Sequence, residues 1–145
     1  MYNIRVYGIW QKDGNVLVSD EFVNGIYMTK FPGGGHEQGE SLPETLIREC
    51  REEMNLSIEI REHFYTTDFF IASAFSASQQ LISVYYRFVP AEEVIFRISE
   101  TAFDFDGVRE VQSFRWINIE KGSEEDFTFP IDKKVFGMLK KSLQQ

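Results

Sequence analysis

The chain has 145 residues, of which 43% are hydrophobic and 26% charged, and these values predict one globular domain over residues 1–145 rather than a disordered or fibrous protein. Its formal net charge of -8 excludes binding to duplex nucleic acid through the backbone, because such binding depends on clustered Lys and Arg. A small anionic substrate remains compatible with this charge if a metal ion offsets the repulsion at the site.

The N-terminus and the cysteine content indicate the compartment. The stretch MYNIRVYGIW has no basic segment followed by an apolar core and a cleavage site, and no run in the chain reaches about 18 apolar residues. The single cysteine, Cys50, cannot form an internal disulfide, which agrees with a reducing environment. We therefore expect a soluble cytoplasmic protein that does not contact a membrane.

In chain order, the first predicted elements are the two strands of a hairpin. Residues 2–10 alternate in the manner of a strand, and Lys12-Asp13-Gly14-Asn15 supplies a turn into a second strand over 15–22. β-Branched and aromatic residues predict further strands, over 26–31, 56–65, 80–89 and 111–119. Helical spacing of apolar residues predicts helices over about 42–54 and about 131–143. The order predicts an α+β fold, an α/β/α sandwich around a mixed β-sheet.

The first helix has well-marked ends. Ser41 is an N-cap candidate and Glu44 lies three residues later, which is the capping-box pattern, while Pro43 is tolerated in the first turn. Asn55 readily takes the left-handed conformation that ends a helix. One apolar stripe is predicted along this helix, made of Leu42, Leu46, Ile47, Cys50 and Met54.

Three acids lie along the border of that stripe. Glu49, Glu52 and Glu53 have i, i+3, i+4 spacing, so their carboxylates are expected to converge. Like charges at this spacing destabilise an isolated helix by roughly 0.2 to 0.5 kcal/mol per pair, and the helix dipole disfavours anions in the C-terminal half. One interpretation is a solvated acidic face balanced by Arg48 and Arg51. The other is a set of oxygen ligands for a hard divalent cation such as Mg²⁺. The acids alone favour neither.

The glycines that precede the helix extend the pattern into a longer motif. Gly34 is followed by five residues and Glu40, then by seven residues and Arg48-Glu49, and then by the run Cys50-Arg51-Glu52-Glu53-Met54-Asn55-Leu56. This string resembles the Nudix box of the Nudix hydrolase superfamily and departs from it only at the last glycine, here Asn55. Phe31-Pro32 before the glycines and the segment 110–117 agree with the resemblance. The chain looks like a small, MutT-like, single-domain member.

The resemblance implies a Nudix fold and roles for the box residues. Glu49, Glu52 and Glu53 would be ligands of Mg²⁺ or Mn²⁺, with the carbonyl of Gly34 or Gly35 as a further ligand. Glu49 would also be the first candidate for the base. Arg48 would orient the catalytic glutamates, with Glu49 and Glu53 the catalytic pair, and Glu40 would brace the loop against the helix.

The resemblance also implies a reaction, the hydrolysis of a phosphoanhydride in a nucleoside diphosphate linked to another moiety. The short chain favours a nucleoside triphosphate or a nucleotide sugar as this small-molecule partner. Substrate-binding candidates outside the box are Lys30, Arg5, Phe70, Glu93 and Glu110. The candidates for a fourth carboxylate of the metal site are Glu92, Glu93, Asp104, Asp106 and Glu110.

Two other classes of protein are compatible with parts of the pattern. A regulatory Nudix module would bind a nucleotide without cleaving it, but such modules usually lack box glutamates or carry a DNA-binding domain. A calcium-binding structural protein would need an oxygen-rich loop of about 12 residues, which the continuous helix replaces. Dimers are common among Nudix proteins, so a homodimer is compatible with the sequence.

Overall fold

The protein is described by a computed structural model that covers residues 1–107 and 111–144. Over these residues, the helices are α1 (Leu42–Met54), α2 (Pro130–Ser142) and a short 3-10 helix (Glu124–Asp126). The strands are β1 (Tyr2–Ile9), β2 (Gln11–Lys12), β3 (Asn15–Val23), β4 (Ile26–Lys30), β5 (Gly33–Gly35), β6 (Ile58–Thr66), β7 (Gln80–Pro90), β8 (Ile98–Ser99) and β9 (Gln112–Asn118). The elements form two compact units.

The first unit, Met1–Ile9 with Pro32–Phe96, contains a four-stranded sheet in the order β5-β1-β7-β6, which we call sheet A. β1 is parallel to β7 and antiparallel to β5, and β6 is antiparallel to β7, so the sheet is mixed. Helix α1 contacts β5, β1 and β6. At Gly8 a Cβ atom would come within 3.1 Å of Leu46 Cδ1, so the missing side chain allows helix α1 to pack closely against the sheet.

The second unit, Trp10–Phe31 with Arg97–Gln145, contains sheet B in the order β2-β3-β9-β8. β4 also pairs with β3, over residues beyond those that pair with β2. β8 and β9 are parallel and the other pairs are antiparallel. Buried aromatic rings pack beside α2: the ring centroids of Phe31 and Phe127 are 4.8 Å apart, and those of Phe127 and Phe136 are 5.0 Å apart. The fold class is thus confirmed as α+β, with the predicted mixed sheet present as two mixed sheets.

The strand predicted over residues 2–10 is present as β1, but its predicted pairing with 15–22 in a hairpin is wrong. The turn forms as expected, with Asp13 and Gly14 at φ 53° and 82°, but the strand entering it is only β2. β1 lies between β5 and β7, and its residues Val6 to Ile9 are all buried. Burial on both faces is typical of a strand with a parallel neighbour, and it outweighs the local turn signal.

The predicted bounds of the first helix are confirmed. Ser41 Oγ accepts from Glu44 N–H at 3.2 Å, Glu44 Oε1 accepts from Ser41 N–H at 2.9 Å, and Asn55 ends the helix at φ 50°, ψ 45°. The buried face differs from the predicted stripe, since Leu42 is only half-buried, Ile47 is 42% exposed and Thr45 is buried as well. The second helix begins and ends one residue earlier than predicted.

A single domain over residues 1–145 stays a prediction. A helix with the length and apolarity to cross a membrane does not occur within 1–107 or 111–144.

Candidate active site

Arg48, in the middle of α1, joins the glycine segment to the helix. Its Nη2 donates to the Gly35 carbonyl at 2.9 Å, and its Nε donates to Glu40 Oε2 at 2.6 Å. Its Nη1 donates to Glu49 Oε1 at 2.9 Å and to Glu52 Oε2 at 3.3 Å. The planar guanidinium allows one side chain to donate hydrogen bonds to carboxylates on both sides of it. Arg48 therefore sets the position of the Glu49 carboxylate relative to the glycines.

Glu40 lies between the segment that follows β5 and the helix. Besides Arg48, its Oε1 accepts from Thr45 Oγ1 at 3.0 Å and from Glu37 N–H at 3.0 Å. The hydrogen bond from Arg48 is the main reason that the pKa of Glu40 lies at about 2, below its usual 4.5. The same bond, with a smaller contribution from Glu49, raises the pKa of Arg48 further above its usual value. Glu40 is therefore held as a carboxylate.

The three glycines form strand β5 and not a loop. Gly33 has φ +140° and a Cβ atom there would lie 2.1 Å from the Val6 carbonyl oxygen, so a side chain is excluded. At Gly34 a Cβ atom would lie 2.6 to 2.8 Å from the carboxyl atoms of Glu49. The absent side chain of Gly34 thus provides the space that the Glu49 carboxylate occupies.

The box glutamates occupy one helix but are not gathered at one point. Arg48 holds Glu49 and Glu52, while one oxygen of Glu53, Oε2, is buried. Within the described parts of the chain, no three His, Cys, Asp or Glu side chains form a group able to hold a metal ion. The donor chemistry does fit Mg²⁺ or Mn²⁺, since carboxylate and carbonyl oxygens are the ligands of hard cations. The missing Cβ of Gly34 fits as well, because it lets the Glu49 carboxylate lie against the glycine backbone.

Arg5, a predicted substrate-binding residue, lies beside β5. It is the cross-strand partner of Gly35, and its Nη1 is 3.5 Å from the position that a Gly35 Cβ would take. Its Nε donates to Tyr7 Oη at 2.6 Å. Tyr7 was not predicted as a site residue, although the i, i+2 spacing on a strand is a signal that could have found it.

The remaining substrate-binding candidates are dispersed. Lys30 is 5% exposed, and its Nζ lies 3.1 Å from Glu21 Oε2 and donates to the Phe31 carbonyl at 3.3 Å. Phe70 and Glu93 are exposed, and Glu110 lies outside the described residues. The substrate-binding roles of these four residues stay predictions.

Two of the acids considered as a fourth metal ligand have cationic partners. Glu92 Oε1 accepts from Arg51 Nη1 at 3.3 Å and from Ser57 N–H at 2.8 Å. Asp104 Oδ2 accepts from Ser99 Oγ and, at 3.0 Å, from Arg97 Nη1; the bond from Ser99, with a smaller contribution from Arg97, lowers the pKa of Asp104. Both acids thus form ion pairs within their own unit, and their role as a fourth metal ligand stays a prediction.

Comparison with known proteins agrees with the fold and with the box. The family model of the NUDIX domain matches residues 1–136, and the chain therefore belongs to the NUDIX family. A search of curated proteins found no match.

Solved structures share the fold. The solution structure of the E. coli ORF135 protein has 17% identity and a TM-score of 0.73, with 99% of this chain and 91% of that chain covered. A NUDIX hydrolase from Nitrosomonas europaea has 16% identity and a TM-score of 0.68, over 98% and 90% of the two chains. The MutT protein from Methanosarcina mazei Go1 has 17% identity and a TM-score of 0.68, over 99% and 96%. At these identities the likeness shows the fold alone.

Proposed function

We propose that the protein hydrolyses a phosphoanhydride bond in a nucleoside diphosphate linked to another moiety, with Mg²⁺ or Mn²⁺ as cofactor. A nucleoside triphosphate or a nucleotide sugar is the proposed substrate class. The observation that carries the proposal is the Arg48 network, in which one guanidinium binds the Gly35 carbonyl, Glu40, Glu49 and Glu52. Membership of the NUDIX family supports the reaction type.

Glu49, Glu52, Glu53 and the Gly34 carbonyl would hold the cation. When bound, a divalent cation neutralises the diphosphate and polarises the phosphorus under attack. Glu52 has a side chain that is 58% exposed and a long 3.3 Å bond to Arg48, so its carboxylate can turn away from Arg48 at small cost. Glu49 is more enclosed, at 14% exposure of its side chain, and keeps its position against Gly34.

The residues of this chain would orient the reacting groups. Arg48 binds Oε1 of Glu49 and thereby restrains the direction of the carboxylate. We assign to Glu49 the acceptance of the proton from the attacking water, since a general base has to be positioned within hydrogen-bond reach of that proton. Glu40 restrains Arg48 from the side of the glycine strand. Catalysis of this kind rests on positioning and charge.

The test is a substrate panel with purified protein and Mg²⁺. Nucleoside triphosphates and nucleotide sugars are supplied, and released phosphate and nucleoside monophosphate are measured. Glu53→Gln should abolish turnover while the circular dichroism spectrum and melting temperature stay near those of the wild type. Glu59→Gln is the matched control and should keep full turnover, because Glu59 is an exposed acid of β6 whose carboxylate pairs with Arg61.

Two results would contradict the proposal. Near-normal turnover in Glu53→Gln would overturn the metal assignment. Nucleotide binding by calorimetry without product release from any member of the panel would favour the regulatory module instead.

A small nucleotide-type partner and a cytoplasmic location belong to the same proposal. A homodimer is also proposed, and sedimentation of the purified protein at several concentrations tests it.

A further inference from the structure

We propose that Arg5 binds a phosphate group of the substrate and that Tyr7 fixes the Arg5 guanidinium beside the glycine strand for this purpose. This inference rests on the proposed function, because it assigns a contact to the same substrate. It concerns residues outside the box, all within the unit that contains sheet A. Arg5 would be a binding residue and Tyr7 a positioning residue.

The placement of Arg5 follows from its partner in the sheet. Arg5 on β1 faces Gly35 on β5, and directly opposite residues of paired strands direct their side chains to the same face. Gly35 has no side chain, so the Arg5 guanidinium lies over the space beside it, with Nη1 3.5 Å from the missing Cβ. On the adjacent residue, Gly34, the missing Cβ faces the Glu49 carboxylate. The narrow strand β5 therefore separates the Arg5 guanidinium from the Glu49 carboxylate.

Tyr7 holds this cation in one orientation. Its hydroxyl oxygen accepts from Arg5 Nε at 2.6 Å, which uses one of five guanidinium donors. The phenol is itself restrained, since Tyr7 is buried and its ring centroid is 5.5 Å from that of Tyr85. Gly33 provides the room, because a Cβ there would approach Tyr7 Cδ1 to 3.0 Å. A preorganised guanidinium loses less side-chain entropy when it binds a phosphate.

Charge around β5 makes such a cation useful. Glu40, Glu49 and Glu52 are grouped around Arg48, which donates to all three and to the Gly35 carbonyl. A diphosphate approaching these carboxylates is repelled unless further positive charge faces it. Arginine suits the task because its planar fork can bind two phosphate oxygens at once, whereas lysine acts as a point charge.

The experiment measures binding of inorganic pyrophosphate with Mg²⁺ by titration calorimetry. Arg5→Gln should weaken binding roughly 10- to 100-fold, the range expected for hydrogen bonds to a charged group. Arg5→Lys should fall between the wild type and Arg5→Gln, since it keeps the charge and loses the fork. Tyr7→Phe, which removes only one hydroxyl, should weaken binding roughly 3- to 10-fold. In hydrolysis, all three variants should raise KM more than they lower kcat.

A double variant separates positioning from a general structural role. If Tyr7 acts through Arg5, Tyr7→Phe should have no further effect on pyrophosphate binding in the Arg5→Gln background. A persistent effect of Tyr7→Phe in that background overturns the positioning role. Arg61→Gln is the matched control, because Arg61 is an exposed cation paired with Glu59 on β6 and its loss removes the same charge. It should change pyrophosphate affinity less than twofold.

The outcomes distinguish this inference from the proposed function. Wild-type hydrolysis combined with unchanged pyrophosphate affinity in folded Arg5→Gln overturns the inference and leaves the proposed function standing. Loss of pyrophosphate binding in Arg5→Gln, with no hydrolysis by the wild type, overturns the proposed function and leaves the inference. If Arg5→Gln does not fold, Arg5→Lys and Tyr7→Phe decide, and wild-type affinity in both overturns the inference.

Discussion

Gly34→Ala should remove most activity while leaving the protein folded. The added Cβ would lie 2.6 to 2.8 Å from three carboxyl atoms of Glu49, which is closer than nonbonded atoms can approach. The carboxylate is at the end of a flexible side chain and can swing away, so the backbone need not move. Swinging away breaks the 2.9 Å bond from Arg48 Nη1 to Glu49 Oε1.

The effect of Gly34→Ala on stability is expected to be smaller than its effect on the rate of hydrolysis. The broken bond joins charged groups whose side chains are 21% and 14% exposed, so its loss costs about 1 kcal/mol. Replacing Gly by Ala where the backbone conformation allows it stabilises the folded protein by about 0.4 to 1 kcal/mol, because the unfolded chain then has less conformational entropy to lose. The net loss of stability is therefore below about 1 kcal/mol, a melting-temperature change of at most roughly 4 °C. Displacing a catalytic group by about 1 Å costs roughly 100-fold in rate, or about 2.7 kcal/mol of barrier.

The assay compares turnover, Mn²⁺ binding and melting temperature in the same preparations. Turnover with the best substrate of the panel should fall about 100-fold in Gly34→Ala, and the electron paramagnetic resonance signal of free Mn²⁺ should show weaker binding. Gly35→Ala is the matched comparison, since its Cβ would meet only Arg5 Nη1, at an ordinary 3.5 Å, and it should lose much less activity. Turnover within about threefold of the wild type in Gly34→Ala would refute the role given to the space beside Glu49.

Two further predictions concern stability. Because Arg48 lowers the pKa of Glu40 to about 2 in the folded protein, Glu40 stabilises the fold above pH 4.5, and this contribution is lost as the pH falls from about 4.5 to about 2. The urea midpoint of Glu40→Gln should thus lie below that of the wild type at pH 6 and approach it in acid; a gap independent of pH would contradict this linkage. Asp20→Ala should cost about 3 to 5 kcal/mol, because buried Asp20 accepts from Arg115 Nε at 2.6 Å and its loss leaves that guanidinium without its carboxylate. Asp104→Ala, at an exposed ion pair, should cost much less than Asp20→Ala in the same urea titration, and equal losses in the two variants would refute the burial argument.

The sequence predicted α1 to the residue because its signals are local. Ser41 with Glu44 marks the start and Asn55 the end, and each of these acts through backbone groups within four residues. The box residues from Gly34 to Glu53 likewise lie within one strand, the turn that follows it and one helix. Arg48 therefore meets Glu40 and Glu49 through short-range geometry that a motif can encode.

Features that depend on pairing between distant segments could not be predicted. β1 was assigned to a hairpin, yet its position between β5 and β7 depends on residues about 30 and 80 positions away. Lys30 looked available to a phosphate, but the pairing of β3 with β4 buries it against Glu21. The contact between Arg5 and Gly35 has the same origin, since no short turn joins β1 to β5 and fixes the register between them.

The glycine strand has a consequence for how the protein behaves in a crowded solution. β5 is one edge of sheet A, and at three residues it offers too short a row of backbone groups for another chain to pair with. The other edge, β6, shifts register on both sides of His63 and carries exposed Glu59, Arg61 and Glu62. Short, irregular and charged edges resist the addition of strands from neighbouring molecules. The strand that makes room for the Glu49 carboxylate thus also protects the sheet from aggregation.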